Sequence, residues 1–244
     1  MCTVSWVHTA TGYELFCNRD ERRTRPPAWA PRLRERHGVR FVAPIDGASG
    51  GAWIGVNQYG LTLALLNRYD VPAGPPRDEY LSRGWLLLEL LDSRAPQHTQ
   101  ERLQARRLTA FQPFTLAAVA AGEPARLFQW DGCRLTIEDN AEAQLPLTSS
   151  SFETARVIAE RRAQFAELPV NVGERSAVLA GFHQSHTPAP GAFSVCLHRD
   201  NARTVSYSHI QVAAPQIAFN YFPQAPCAST GAAPYATRLE LTFA

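Results

Sequence analysis

Cys2-Thr3-Val4-Ser5-Trp6-Val7, a turn signal at Thr11-Gly12, and Tyr13-Glu14-Leu15-Phe16-Cys17 running into Asn18-Arg19-Asp20-Glu21 form the stretch whose reading decides the fold. β-branched and aromatic residues fill both apolar runs. The pair therefore reads as two strands folding back antiparallel, with three charged residues following the end of the second. Such pairing brings Arg19 and Asp20 close to the start of the chain. Removal of Met1 would leave Cys2 with a thiol and a free α-amine on one residue. Their reference pKa values, near 8.5 for the thiol and about 7.7 to 8.0 for the amine, lie within reach of neutrality. Nucleophile and proton acceptor would then coincide. The same segment also fits a plain buried strand, in which a free cysteine is a small core hydrophobe.

Working outward, the chain has 244 residues, 45% of them hydrophobic, enough for one domain spanning residues 1–244 with a sizeable core. The formal charge of +2 is too small to point to nucleic acid or a membrane surface. Cysteines at positions 2, 17, 133, 196 and 227 make no Cys-x-x-Cys pair and no regular spacing. That argues against a zinc ribbon or disulfide framework and implies a reducing compartment. With no signal-peptide pattern and no apolar run approaching the roughly 18 residues of a membrane span, a cytoplasmic protein is expected.

Arg22 to Arg36, with Pro26, Pro27 and Pro31, reads as a long loop beside the motif, either a connector or an anion-steering rim. A strand follows at 39–43. Residues 52–56 and 61–66 read as a hairpin around Gly60, preceded by Gly50-Gly51, whose glycines allow positive φ or close backbone approach. The hairpin ends at Asn67, whose amide suits either a turn cap or an oxyanion donor. Leu81, Trp85, Leu88 and Leu91 follow helical spacing from about Glu79 to Ser93, after a Pro/Gly loop from Val71 to Pro76, and a second helix is expected from Thr99 to Leu108 after a break at Pro96. Three strands at 114–121, 125–130 and 133–138 alternate with turn signals, and a helix from about 153 to 168 follows a serine run suited to N-capping. His183-Gln184-Ser185-His186 falls in a proline-containing loop, where chelation by the two histidines is disfavoured, so no metal is assigned. A strand pair at 193–198 and 203–212 and a last strand at 236–243 complete the chain.

Met1-Cys2-Thr3, Asn18-Arg19-Asp20-Glu21 and Gly50-Gly51-Ala52-Trp53-Ile54-Gly55 resemble the NRDE family, also called the transport and Golgi organisation 2 family. The resemblance implies an α+β, four-layer αββα sandwich of two antiparallel sheets, like the N-terminal nucleophile hydrolases, and a likeness to the cholylglycine hydrolase and penicillin V acylase group. On that basis Cys2, Arg19, Asp20 and Asn67 are the expected catalytic residues of an amidohydrolase acting on a small-molecule C–N bond. Asn18, Trp53, Ser149, His186 and Ser194 are the expected substrate-binding residues. No cofactor is expected, and the alternative is a non-catalytic carrier of an apolar ligand such as an acyl lipid or haem. Two departures stand out: Ser149 where the wider family often has asparagine, and Gly191-Ala192 where a threonine-arginine pair is common.

Overall fold

A computed structural model describes residues 2–72, 80–169, 175–228 and 233–240. The expected helix start at Glu79, most of the loop ending at Pro76, Met1 and the end of the last strand lie outside the described residues. Strands β1 (Cys2–Thr9) and β2 (Gly12–Arg22) form the anticipated hairpin, with Cys2 opposite Arg19 and Thr3 opposite Asn18. The tetrapeptide does not follow β2 but lies within it. The reason is a long partner strand, β11 (Ala202–Ala213), which pairs with β2 from Gly12 to Arg22 and satisfies the backbone that a turn would otherwise leave open.

One sheet runs β10 (Leu147–Ser149), β1, β2, β11, β12 (Gln216–Phe222), β13 (Tyr235–Glu240); the other runs β3 (Trp29–Arg36), β4 (Val39–Ile45), β5 (Ile54–Asn57), β6 (Thr62–Asn67), β7 (Phe114–Val119), β8 (Arg126–Trp130), β9 (Leu135–Glu138). Every pairing is antiparallel. Alternation along each strand sends one set of side chains inward. Cys2, Val4, Trp6, Tyr13 and Leu15 meet Val42, Ile54, Val56, Ala64 and Val119 between the sheets. The outer face of the seven-stranded sheet is covered by α1 (Arg83–Leu90) and α2 (Pro96–Gln104), through Leu86, Leu87, Leu90 and Leu103. The six-stranded sheet carries α3 (Thr154–Ala166) and α4 (Arg175–Gln184). Four layers, αββα, result.

Several expectations are corrected. Residues 29–36 form β3 rather than loop, because a sheet edge needs hydrogen bonds on one side only; Pro31 is accommodated there, within a register irregularity between Trp29 and Arg32. Pro96 begins α2 at its first turn instead of breaking a helix, where its missing N–H costs nothing. The first helix is shorter than expected, and Leu81 and Trp85 are exposed rather than in the core. Glu153, at φ 39°, stands at the N-cap of α3, and no serine side chain caps it. Residues 193–198 form no strand: their backbone is held by the loop itself, through Cys196 N–H to Ser185 O at 3.0 Å and a single bridge between His198 and Arg203. His183 and Gln184 close α4 rather than lying in a loop.

Candidate functional site

Period-two alternation divides the motif between two faces of one sheet. Cys2, Cys17 and Arg19 point between the sheets, while Thr3, Asn18 and Asp20 point towards α3 and α4. Cys2 and Arg19 reach the wall of a cavity of about 510 Å³ that also takes in Glu21, Arg25, Asp46, Trp53, Asn67, Tyr69 and Arg83.

Arg19 is clamped in place. Its guanidinium bonds the Asp46 carboxylate and stacks over the Trp53 ring, 4.2 Å from the ring centroid. Asp46 also accepts from Arg25 Nε at 2.8 Å and Nη2 at 2.7 Å, and from the Ser49 N–H at 2.7 Å and hydroxyl at 2.9 Å. Burial alone would raise the Asp46 pKa; the bonds from Arg25 and Ser49 and the charge of Arg19 outweigh it and hold the carboxyl well below its ordinary range. Asp46 and Arg25 were not singled out by sequence reasoning. The available signal was an aspartate opening Asp46-Gly-Ala-Ser-Gly-Gly, a pattern suited to an Asx turn.

The Cys2 thiol lies beside Cys17, and both are free. A hydrogen bond from Cys17 lowers the Cys2 pKa, burial opposes it, and the positive charge of Arg19 adds to the lowering. Cys17 is pushed up, chiefly by its hydrogen bond to Cys2 and by burial, since two adjoining sulfurs cannot both ionise. The Cys2 N–H donates to Ser149 Oγ at 3.2 Å, a contact that follows from the β10 register pairing Cys2 with Ser149. Asn67 ends β6 in the cavity wall and its amide donates to the Tyr69 hydroxyl at 3.0 Å. The indole N–H of Trp53 is buried and has no hydrogen-bond partner among the described residues.

Asp20 lies on the opposite face, 1% exposed. It accepts from Thr204 Oγ1 at 2.6 Å and from Arg161 Nη1 at 3.4 Å, while Arg161 also reaches Thr3 Oγ1 at 2.5 Å and the Ser194 carbonyl at 2.7 Å. Asn18, expected to bind substrate, is fully buried: its amide donates to the carbonyls of His183 and Val195 and accepts from the His183 ring. Strand parity turns it away from the cavity. Ser194 is likewise spent on backbone, donating to Cys196 O at 2.6 Å and accepting from the Gly191 N–H at 3.2 Å. His186 does not line the cavity; it stands with Cys196, His198 and Cys227, four imidazole and thiol side chains gathered outside it. Of the nine expected site residues, Cys2, Arg19, Trp53, Asn67 and Ser149 are thus gathered at or beside the cavity, and Asp20 supports them from behind.

The family model for Transport and Golgi organisation 2 matches residues 1–159. The chain belongs to this family. No curated protein matches its sequence. Among solved structures, this Transport and Golgi organisation 2 member resembles penicillin V acylase from Agrobacterium tumefaciens, with 13% identity, a TM-score of 0.54 and coverage of 90% of this chain and 82% of that one. It also resembles a variant of the conjugated bile acid hydrolase from Clostridium perfringens (10%, 0.53, 99% and 97%) and the Caenorhabditis elegans ortholog of N-acylethanolamine-hydrolyzing acid amidase (13%, 0.51, 86% and 92%). The fold is that of the N-terminal nucleophile hydrolases.

Proposed function

We propose that the protein is an N-terminal cysteine amidohydrolase for small amides that carry an anionic group. The observation that supports this most is a single one: a thiol with a lowered pKa at the wall of a roomy cavity, beside an arginine that Asp46 and Trp53 hold rigid. After processing exposes the α-amine of Cys2, the sulfur attacks the amide carbonyl and a C–S bond forms. The amine takes the thiol proton and passes it to the leaving nitrogen as the C–N bond breaks, and water then cleaves the thioester. Ser149 Oγ, already bonded to the Cys2 nitrogen, orients the amine. The Asn67 amide and the unpartnered Trp53 N–H are donors for the oxyanion; loss of one such donor typically costs about 10²- to 10³-fold in rate.

Among the described residues, four arginines (Arg19, Arg22, Arg25, Arg83) face two carboxylates (Glu21, Asp46) around the cavity, which favours a negatively charged substrate and suits an apolar carrier ligand poorly. A panel of N-acyl amino acids and neutral amides of matched size, tested with the processed wild type and with Cys2→Ala, decides the matter. Turnover confined to wild type, and faster for the anionic members, is expected. Equal activity in the Cys2→Ala variant would end the proposal.

A further inference from the structure

Outside the cavity, three separate segments bring nitrogen and sulfur ligands to one point. His186 follows α4, Cys196 and His198 lie in the irregular segment before β11, and Cys227 sits in a short 3₁₀ turn at Pro226–Ala228 after β12. The His186 and His198 Nε2 atoms are 3.1 Å apart. The His198 Nε2 is 3.5 Å from each sulfur, and the two sulfurs are 3.5 Å apart. All four ligand atoms fall within 4.8 Å of one another.

These separations carry chemical information. A sulfur–sulfur distance of 3.5 Å is no disulfide, and both cysteines are free. Two imidazole nitrogens facing each other can share one proton, which leaves the thiols unaccounted for. A tetrahedron built on Zn–S of about 2.3 Å and Zn–N of about 2.0–2.1 Å has edges of roughly 3.8 Å for S···S, 3.6 Å for S···N and 3.3 Å for N···N. The N···N edge is the shortest, the four edges at 3.1 to 3.5 Å lie within about 0.3 Å of these values, and the two edges from His186 to the sulfurs stay within 4.8 Å. The frame is also fixed without a metal: the Cys196 N–H bonds Ser185 O at 3.0 Å, the His198 N–H bonds Gly191 O at 3.2 Å, and Cys196 is fully buried. His186, His198 and Cys227 are partly exposed and leave an entry route.

We propose that His186, Cys196, His198 and Cys227 bind one Zn²⁺ ion as a closed structural site. Two imidazoles and two thiolates are the donor set that selects zinc with tetrahedral geometry, and with all four positions filled by protein the ion holds segments together rather than activating water. Binding displaces two thiol protons to solvent. The brace bears on the candidate active site at one remove: the Leu197 N–H, between two of the ligands, bonds Thr204 Oγ1 at 2.8 Å, and that hydroxyl donates to Asp20. The proposal stands independently of the hydrolase reading.

The test is metal content of the reduced, full-length protein purified without chelator, followed by Co²⁺ titration of the stripped protein. About one equivalent of zinc per chain is expected. The cobalt form should show thiolate-to-cobalt charge transfer and the strong visible bands of a tetrahedral site, and added Zn²⁺ should bleach them. Cys196→Ser and Cys227→Ser should each weaken Co²⁺ binding at least roughly tenfold, whereas Cys133→Ser, whose cysteine is exposed and outside the cluster, should not. The wild-type spectrum keeps the test meaningful even where a variant folds poorly. Absence of stoichiometric metal together with no tetrahedral cobalt spectrum would overturn the proposal, as would binding unaffected by Cys227→Ser.

Discussion

The reactivity of Cys2 rests on the residue one diagonal step away. Cys17 lies on the same face of the hairpin, and its thiol donates the hydrogen bond that most lowers the Cys2 pKa. Replacing Cys17 with alanine removes that donor but leaves Arg19 in place. The pH profile of Cys2 alkylation by iodoacetamide, followed by peptide mass spectrometry, should therefore move to higher pH in Cys17→Ala, with slower labelling at pH 7. A profile that does not move would show that Cys17 is only a packing residue. Arg19 illustrates a different dependence: buried against Asp46, it would keep only the more distant Glu21, at 3.9 Å, if Asp46 were removed, and breaking a buried pair in this way typically costs about 3–5 kcal/mol.

At the scale of elements, the cavity is shaped by how closely α1 approaches the loop before β5. A Cβ at Gly51 would sit 2.7 Å from the Gly84 backbone, and the Ala52 N–H bonds the Gly84 carbonyl at 3.1 Å, so two glycines meet where no side chain fits. Gly51→Ala should push away the start of α1, which carries Arg83. A loss of about 1–3 kcal/mol in thermal or urea unfolding is expected, with a larger fall in kcat/KM than in stability-matched surface variants. Unchanged stability would mean that the loop gives way freely.

Much at this scale was legible in the sequence. The hairpin of β5 and β6, the meander of β7 to β9 and the opening hairpin announce themselves through apolar runs punctuated by glycine and proline. What escaped were elements whose polar residues are satisfied by distant partners. Asn18-Arg19-Asp20-Glu21 looks like the end of a strand because its charges have no local partner; Asp46, Thr204 and Arg161 supply them from far along the chain. For the same reason Asp20 and Asn18 could not be assigned to the helix-facing side until the register with β11 was known. β3 and α4 were hidden by prolines that in fact sit at a sheet edge and beyond a helix end.

Across the whole molecule, the layer between α4 and the six-stranded sheet makes stability depend on pH. His183 is fully buried, its Nδ1 donating to Asn18 Oδ1 and its Nε2 accepting from the Ser5 hydroxyl. Burial, then the positive charge of Arg161, depress its pKa to about 3. An unfolded chain takes up that proton near pH 6.5, whereas the native state resists until about pH 3, so the stabilising contribution is complete above pH 6.5 and is lost as pH falls through this window. Between about pH 6 and 5, before most carboxylates titrate, unfolding free energy should fall by on the order of 1 kcal/mol per pH unit. His183→Gln should be less stable throughout but lose the larger part of that slope, as measured by urea unfolding at several pH values; an undiminished slope would locate the proton uptake elsewhere.

The central claim, that a processed Cys2 attacks amide carbonyls in the cavity beside Arg19, is met most directly by trapping the covalent intermediate. Acid quenching of the processed protein during turnover of an N-acyl amino acid, followed by intact-mass and peptide analysis, should find the acyl group on the N-terminal peptide, attached to Cys2. Amide turnover by protein that still carries Met1, or an acyl group attached to any residue other than Cys2, would contradict it.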